Sequence, residues 1–197
     1  LAAPVLGAFG DFAGLRKKLF GVFLALGCLS CLLLGATPLS DFTDSALADK
    51  MAGIILGLYI LSTVGFAGAN LYYDSFLSDV TTDERMDRVS TMGYGLGYLG
   101  GSTIPLLIFL VMNGVGVPML TCLAFIFAFT GLWWLAFSLP FLKNVRQKGG
   151  EPFCRGAAGR ALRGLGRTMK EIWYNKEMLV FLLAYFFYID GVNTVIH

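Results

Sequence analysis

Charged residues fall in short clusters separated by long apolar runs: none occurs at 19–40, 51–73, 89–142 or 178–189. A bilayer core takes about 20 apolar residues per helix, so these runs predict membrane spans. The first predicts a helix over 19–36. Thr37-Pro38 ends it, because proline lacks an N–H and its predecessor avoids the α region. A polar link with Asp41, Asp44, Asp49 and Lys50 leads to a second helix over 51–73. The 54 uncharged residues 89–142 are too long for one span. NGVGVP at 113–118 divides them into two stretches of 24, each about 36 Å long at 1.5 Å per residue. A last helix begins near 178. Residues 1–8 read as the end of an earlier helix, so five spans and the tail of another are expected, in a fragment of something longer.

Composition agrees with the pattern. The chain of 197 residues is 56% hydrophobic and 14% charged, against about 25% charged in soluble domains. The expected fold is an all-α polytopic membrane protein. Three regions are expected: a transmembrane bundle at 1–142, a basic linker at 143–177 and the start of a further bundle at 178–197.

Fourteen of the fifteen Lys and Arg lie in the links 9–18, 74–88 and 143–177, with only Lys50 in the links 37–50 and 113–118. An excess of Lys and Arg marks the cytoplasmic side, and the alternation fits every span drawn. Within the linker, GRALRGLGRTMKEIWYNK places Arg160, Arg163, Arg167 and Lys170 on one helical face and Leu162, Leu165, Met169, Ile172 and Trp173 on another. Such a helix suits an anionic membrane surface; a positively charged topogenic loop is the plainer reading. Nucleic acid is not an expected partner between two spans.

Gly95, Gly97 and Gly100 spell G-x-G-x-x-G within GYGLGYLGG. A dinucleotide loop needs a preceding strand and an acid about 20 residues on, and no acid lies between Asp87 and Glu151. On a helix, Gly93, Gly97 and Gly101 instead form a row, extended by Pro105, of the small-residue kind that lets membrane helices approach. Cys28-x-x-Cys31 sits in an uncharged run, with the single histidine, His197, at the far end; small packing residues are expected rather than a zinc site. Neither a nucleophile elbow nor a phosphate-binding G-x-x-x-x-G-K-[ST] loop is present. No enzyme activity, metal or cofactor is expected.

Ionisable and polar residues inside spans are functional candidates, since each is costly in hydrocarbon. Asp190 lies about twelve residues into the last apolar run, with Asn193 on a similar face and Thr194, Tyr185 and Tyr188 nearby. Asn70, near the end of the second span, is a further candidate for a solute path or a helix–helix hydrogen bond. Thr81 and Glu84 have capping-box spacing.

The stretch Gly7-Ala-Phe-Gly-Asp11-Phe-Ala-Gly14-Leu-Arg16-Lys17 is a tight cytoplasmic turn carrying an acid and a basic pair. It resembles the signature loop of the major facilitator superfamily at Gly7, Asp11, Gly14, Arg16 and Lys17. It departs from that signature at Phe12 and Leu15, where basic residues are usual. NLYYDSFLSDV, RVSTMGYGLGYLGG and YFFYIDGVNTVI, in that order, resemble the vacuole effluxer-like branch (autophagy-related protein 22-like). The resemblance implies a secondary active transporter moving a small solute by alternating access, with amino acids or related metabolites as candidate solutes; Asp190 makes protons a candidate coupling ion. It implies gating by Gly7, Asp11, Gly14, Arg16 and Lys17, and a cavity completed by the remaining half of the chain. The membrane would be the inner membrane of a bacterium or the vacuolar membrane of a fungus. The competing class is a non-transporting scaffold or receptor with a transporter-like bundle.

Overall fold

A computed structural model describes residues 3–12, 14–37, 45–150 and 157–196. Every regular element among them is helical: α1 (Ala3–Gly10), α2 (Leu15–Ala36), α3 (Ser45–Ser75), α4 (Leu77–Val80), α5 (Met86–Tyr98), α6 (Ile104–Gly114), α7 (Met119–Asn144), α8 (Ala157–Tyr174) and α9 (Lys176–Ile196), with a 3₁₀ turn at Asp83–Arg85 and a π turn at Leu99–Thr103. Among the described residues, four helical stretches are long and apolar enough to cross a membrane: Leu15–Ala36, Leu47–Ser75, Asp83–Gly114 and Met119–Asn144. In hydrocarbon a helix satisfies its own backbone groups, which is why such runs become uninterrupted helices. The chain divides into two units, Gly10–Glu151 and a second made of Leu1–Phe9 with Pro152–His197.

In the larger unit α2 is the central element, packed on α3 and α7. Its buried positions Phe20, Leu24, Gly27, Cys28, Cys31 and Leu34 recur at helical spacing. Small residues set the crossings. A Cβ on Gly65 of α3 would stand 2.6 Å from Gly27 Cα, and one on Gly35 would stand 2.7 Å from Ala124 O and Ala128 N of α7. A Cβ on Gly131 would lie 3.1 Å from Cys31 Cβ and 3.2 Å from Cys28 O. Cys28 and Cys31 are therefore buried helix-packing residues, with Cys31 Sγ 3.1 Å from Ser62 Oγ.

The Gly93, Gly97 and Gly101 row does not pack within the described residues. Nothing lies within 4 Å of a Cβ built on any of the three. The reason is position: α6 packs on α7, whereas α5 has none of the close helix–helix crossings that α2 makes. The span also departs from a single regular helix. Pro105 lacks the N–H that would bond the Gly101 carbonyl, and its ring collides with that carbonyl in a regular α-turn. The turn before it opens into the π segment, where Thr103 Oγ1 donates to Tyr98 O at 3.3 Å. At the start of this span Thr82 precedes the 3₁₀ turn with no side-chain cap, so the expected Thr81–Glu84 capping box does not form. Residues 38–44 of the expected polar link lie outside the described residues, and 45–50 already belong to α3.

In the smaller unit, α8 and α9 are separated by Asn175 alone. Its Oδ1 accepts the Met178 N–H at 3.2 Å, capping α9.

Candidate functional site

The α1–α2 turn is built on Gly14, whose φ of 72° is in the left-handed region that glycine adopts without strain. This reversal starts α2 with Arg16 and Lys17 in its first turn. Cations at a helix start oppose the helix dipole, so both side chains turn to other partners. Arg16 spans several. One terminal nitrogen donates to Asp79 Oδ2 and to Ser75 O, each at 3.0 Å, and Nε donates to Gly10 O at 3.3 Å. Its guanidinium carbon sits 5.5 Å from the centre of the Phe76 ring. Lys17 Nζ donates to Val145 O at 2.6 Å.

Ser75 ends α3 and Val145 follows the last residue of α7. Helix C-termini carry unpaired carbonyls and partial negative charge. The basic pair therefore caps two spans whose ends face the same side. The chain beyond α7 returns to the same point: Gln147 Nε2 donates to Gly10 O at 3.3 Å and Phe12 O at 3.1 Å, and the Lys148 N–H donates to Asp79 Oδ1 at 3.3 Å. Beneath the clasp, Phe141 of α7 meets Phe20 at 4.9 Å and Phe76 at 5.2 Å between ring centres. Three chain segments are thus tied around one guanidinium.

The acid that matters most here is Asp79. Its side chain is 7% exposed, and that of Arg16 15%. Asp11, the acid of the turn, is 79% exposed and approaches Arg16 only to 3.9 Å. Asp79 carries no distinguishing signal in the sequence, being one of five acids in 74–88. Its burial in the short α4 is a tertiary property. Gly10 is likewise more constrained than Gly7: a Cβ on Gly10 would lie 3.2 Å from Tyr72 Cε1, while one on Gly7 meets nothing within 4 Å. Among the described residues both ion pairs are made by Arg16; Arg85 and Arg88 form none with the Asp11 turn.

Asp190 and Tyr188 are exposed positions of α9. The Asp190 carbonyl accepts Thr194 Oγ1 at 2.8 Å. Asn193 belongs to the same helix, but its side chain lies outside the described residues. Asn70 is half-buried on α3, in the larger unit, between buried Ala69 and Tyr72. Within the larger unit the structure thus gathers Gly10, Arg16 and Lys17 with Asp79, whereas Gly7 belongs to the smaller unit and the solute-path candidates are divided between the two.

The apolar spans, with a charged clasp at their ends, define an all-α integral membrane protein. The chain belongs to the vacuole effluxer Atg22-like family, whose model matches residues 78–197. Along its whole length it is 38% identical to the uncharacterized MFS-type transporter YxiO of Bacillus subtilis, covering 45% of that protein. Over 55% of the chain it is 30% identical to autophagy-related protein 22-1 of Penicillium rubens, and 28% identical to autophagy-related protein 22-1 of Sclerotinia sclerotiorum, covering 20% and 21% of those proteins. The chain thus spans less than half the length of these relatives. No solved structure matches it significantly.

Proposed function

We propose that the complete protein is a secondary active transporter that moves a small solute, an amino acid or related metabolite, across a membrane by alternating access. The clasp around Arg16 is the observation that supports this most directly. It ties the cytoplasmic ends of α3 and α7 to the α1–α2 turn through Arg16, Lys17 and Asp79. A set of charge-assisted bonds confined to one side stabilises one arrangement of the helix ends and is lost in another. Gly7, Asp11, Gly14, Arg16 and Lys17 are assigned to this gate.

Asp190, Asn193, Tyr188 and Asn70 are assigned to the translocation path, with Asp190 as the proton-coupling carboxylate. The packing role of Gly93, Gly97 and Gly101 is assigned to a partner helix in the second bundle. In a bacterium the membrane is the inner membrane, and in a fungus the vacuolar one.

The test uses the full-length protein in proteoliposomes with an imposed pH gradient and a panel of amino acids, sugars and organic ions. Gradient-driven uptake of an amino acid is expected. Asp190→Asn is expected to bring that uptake down to the level of empty vesicles while downhill exchange persists. Uptake unchanged by the substitution removes Asp190 from coupling; no uptake of any solute removes the transport reading.

A further inference from the structure

Unlike the spans, which are apolar on all sides, α8 is two-faced. At 100° per residue, Ala161, Leu165, Met169, Ile172 and Trp173 fall within an arc of about 120°. One edge of that arc, Ala161 with Leu165 and Ile172, is buried or half-buried. The other edge is open: Met169 is 58% exposed and Trp173 72%. About 80–100° round the helix from this open edge stand Lys170 and Arg163, both exposed, with Arg167 beyond them. An open apolar edge flanked by cations at that angle fits a helix lying in the plane of an anionic surface, its apolar side chains below the headgroups and its cations level with them.

Two further observations choose a membrane as the occupant. α8 is joined by a single residue to α9, whose residues 178–189 carry no charge. That places its end where an apolar helix begins. Its side of the chain holds nearly all of the basic residues, which marks the cytoplasmic leaflet, where anionic lipids gather.

We propose that α8 docks in plane on the anionic lipid of the cytoplasmic leaflet, seating Met169 and Trp173 at the acyl boundary and Arg163 and Lys170 among the headgroups. The linker is then an electrostatically sensitive contact that reads leaflet charge. Docking of α8 does not depend on what the bundle carries.

The full-length protein is placed in nanodiscs of phosphatidylcholine alone or mixed with phosphatidylglycerol, with lipid brominated near the headgroup as quencher. Subtracting the emission of Trp173→Phe isolates Trp173 from the other tryptophans. Trp173 is expected to be quenched strongly in the mixed discs and weakly in phosphatidylcholine. Arg163→Gln and Lys170→Gln are each expected to lower docking about fivefold at low ionic strength, and salt is expected to release the unmodified helix. Equal quenching in both lipids, or quenching insensitive to salt, overturns recognition of lipid charge. Blue-shifted emission without quenching overturns membrane docking altogether, since protein, a second copy included, then covers the face. The salt titration needs only the conservative Trp173→Phe reference, so an Arg163 or Lys170 variant that fails to fold leaves the outcome decided.

Discussion

At the residue scale, Arg16 shows how one side chain acquires a role through burial rather than through identity. Three basic residues stand together at 16–18, yet only Arg16 is enclosed by an acid, two carbonyls and an aromatic ring. Guanidinium suits this position because its fixed donors reach several acceptors at once. The two acids beside it differ in consequence. Asp79→Ala leaves a largely buried cation without its carboxylate, and breaking such a pair costs about 3–5 kcal/mol. Asp11→Ala removes an exposed partner at 3.9 Å, of the class that contributes about 0–1 kcal/mol. Thermal unfolding in detergent, followed with a thiol-reactive dye on buried Cys28, Cys31 and Cys122, is expected to show a large fall in Tm for Asp79→Ala and little for Asp11→Ala. Equal falls would place the clasp's acid in the turn instead.

At the element scale, glycine has opposite meanings in two spans of similar composition. In α3 a Cβ on Gly65 would lie 2.5 Å from Gly27 N and 2.6 Å from its Cα. No flexible side chain is there to yield, so the helices must separate. Gly65→Ala is expected to destabilise the chain by about 1–3 kcal/mol, as overpacked cores do. Gly97 in α5 faces open space. Measured on residues 1–197 without the second bundle, Gly97→Ala is expected to leave the same unfolding transition unchanged or raise it slightly, since alanine favours the helix by up to about 1 kcal/mol. A fall in Tm for Gly97→Ala as large as for Gly65→Ala would show that the row packs within this chain after all. The π turn before Pro105 belongs to the same scale: proline altered the hydrogen-bond ladder without ending the span.

At the scale of the whole molecule, span number and direction make the clasp possible. α3 and α7 both end on the side that carries the basic links, so their carbonyl ends converge where Arg16 and Lys17 emerge. The exposed apolar surface of these helices, among it Val22, Leu29, Leu56, Phe66 and Leu106, is what helices present when their solvent is hydrocarbon. Lipid gives no hydrophobic drive for helix association, so the bundle holds by close small-residue crossings and by the polar clasp at its end. Both predictions for the complete protein, proton-coupled uptake through Asp190 and leaflet binding through α8, belong to this scale because each is read only with the whole protein in a bilayer.

The sequence by itself determined that this chain is helical, membrane-embedded and of the Atg22-like family. Those properties follow from run length, charge clusters and short local motifs, which need no knowledge of neighbours. The span limits were legible to within a few residues for α2 and α7, and less so for α3, which begins earlier, because a charged first turn reads as a link until it is seen in a helix. Only the tertiary structure decided that Asp79 rather than Asp11 is the buried partner of Arg16, that Gly65 and Gly35 rather than Gly93 and Gly97 set helix crossings, and that Lys17 caps α7. Each of these depends on contacts between segments 38 to 128 positions apart. Spacing along the chain carries no record of such contacts until the helices are packed.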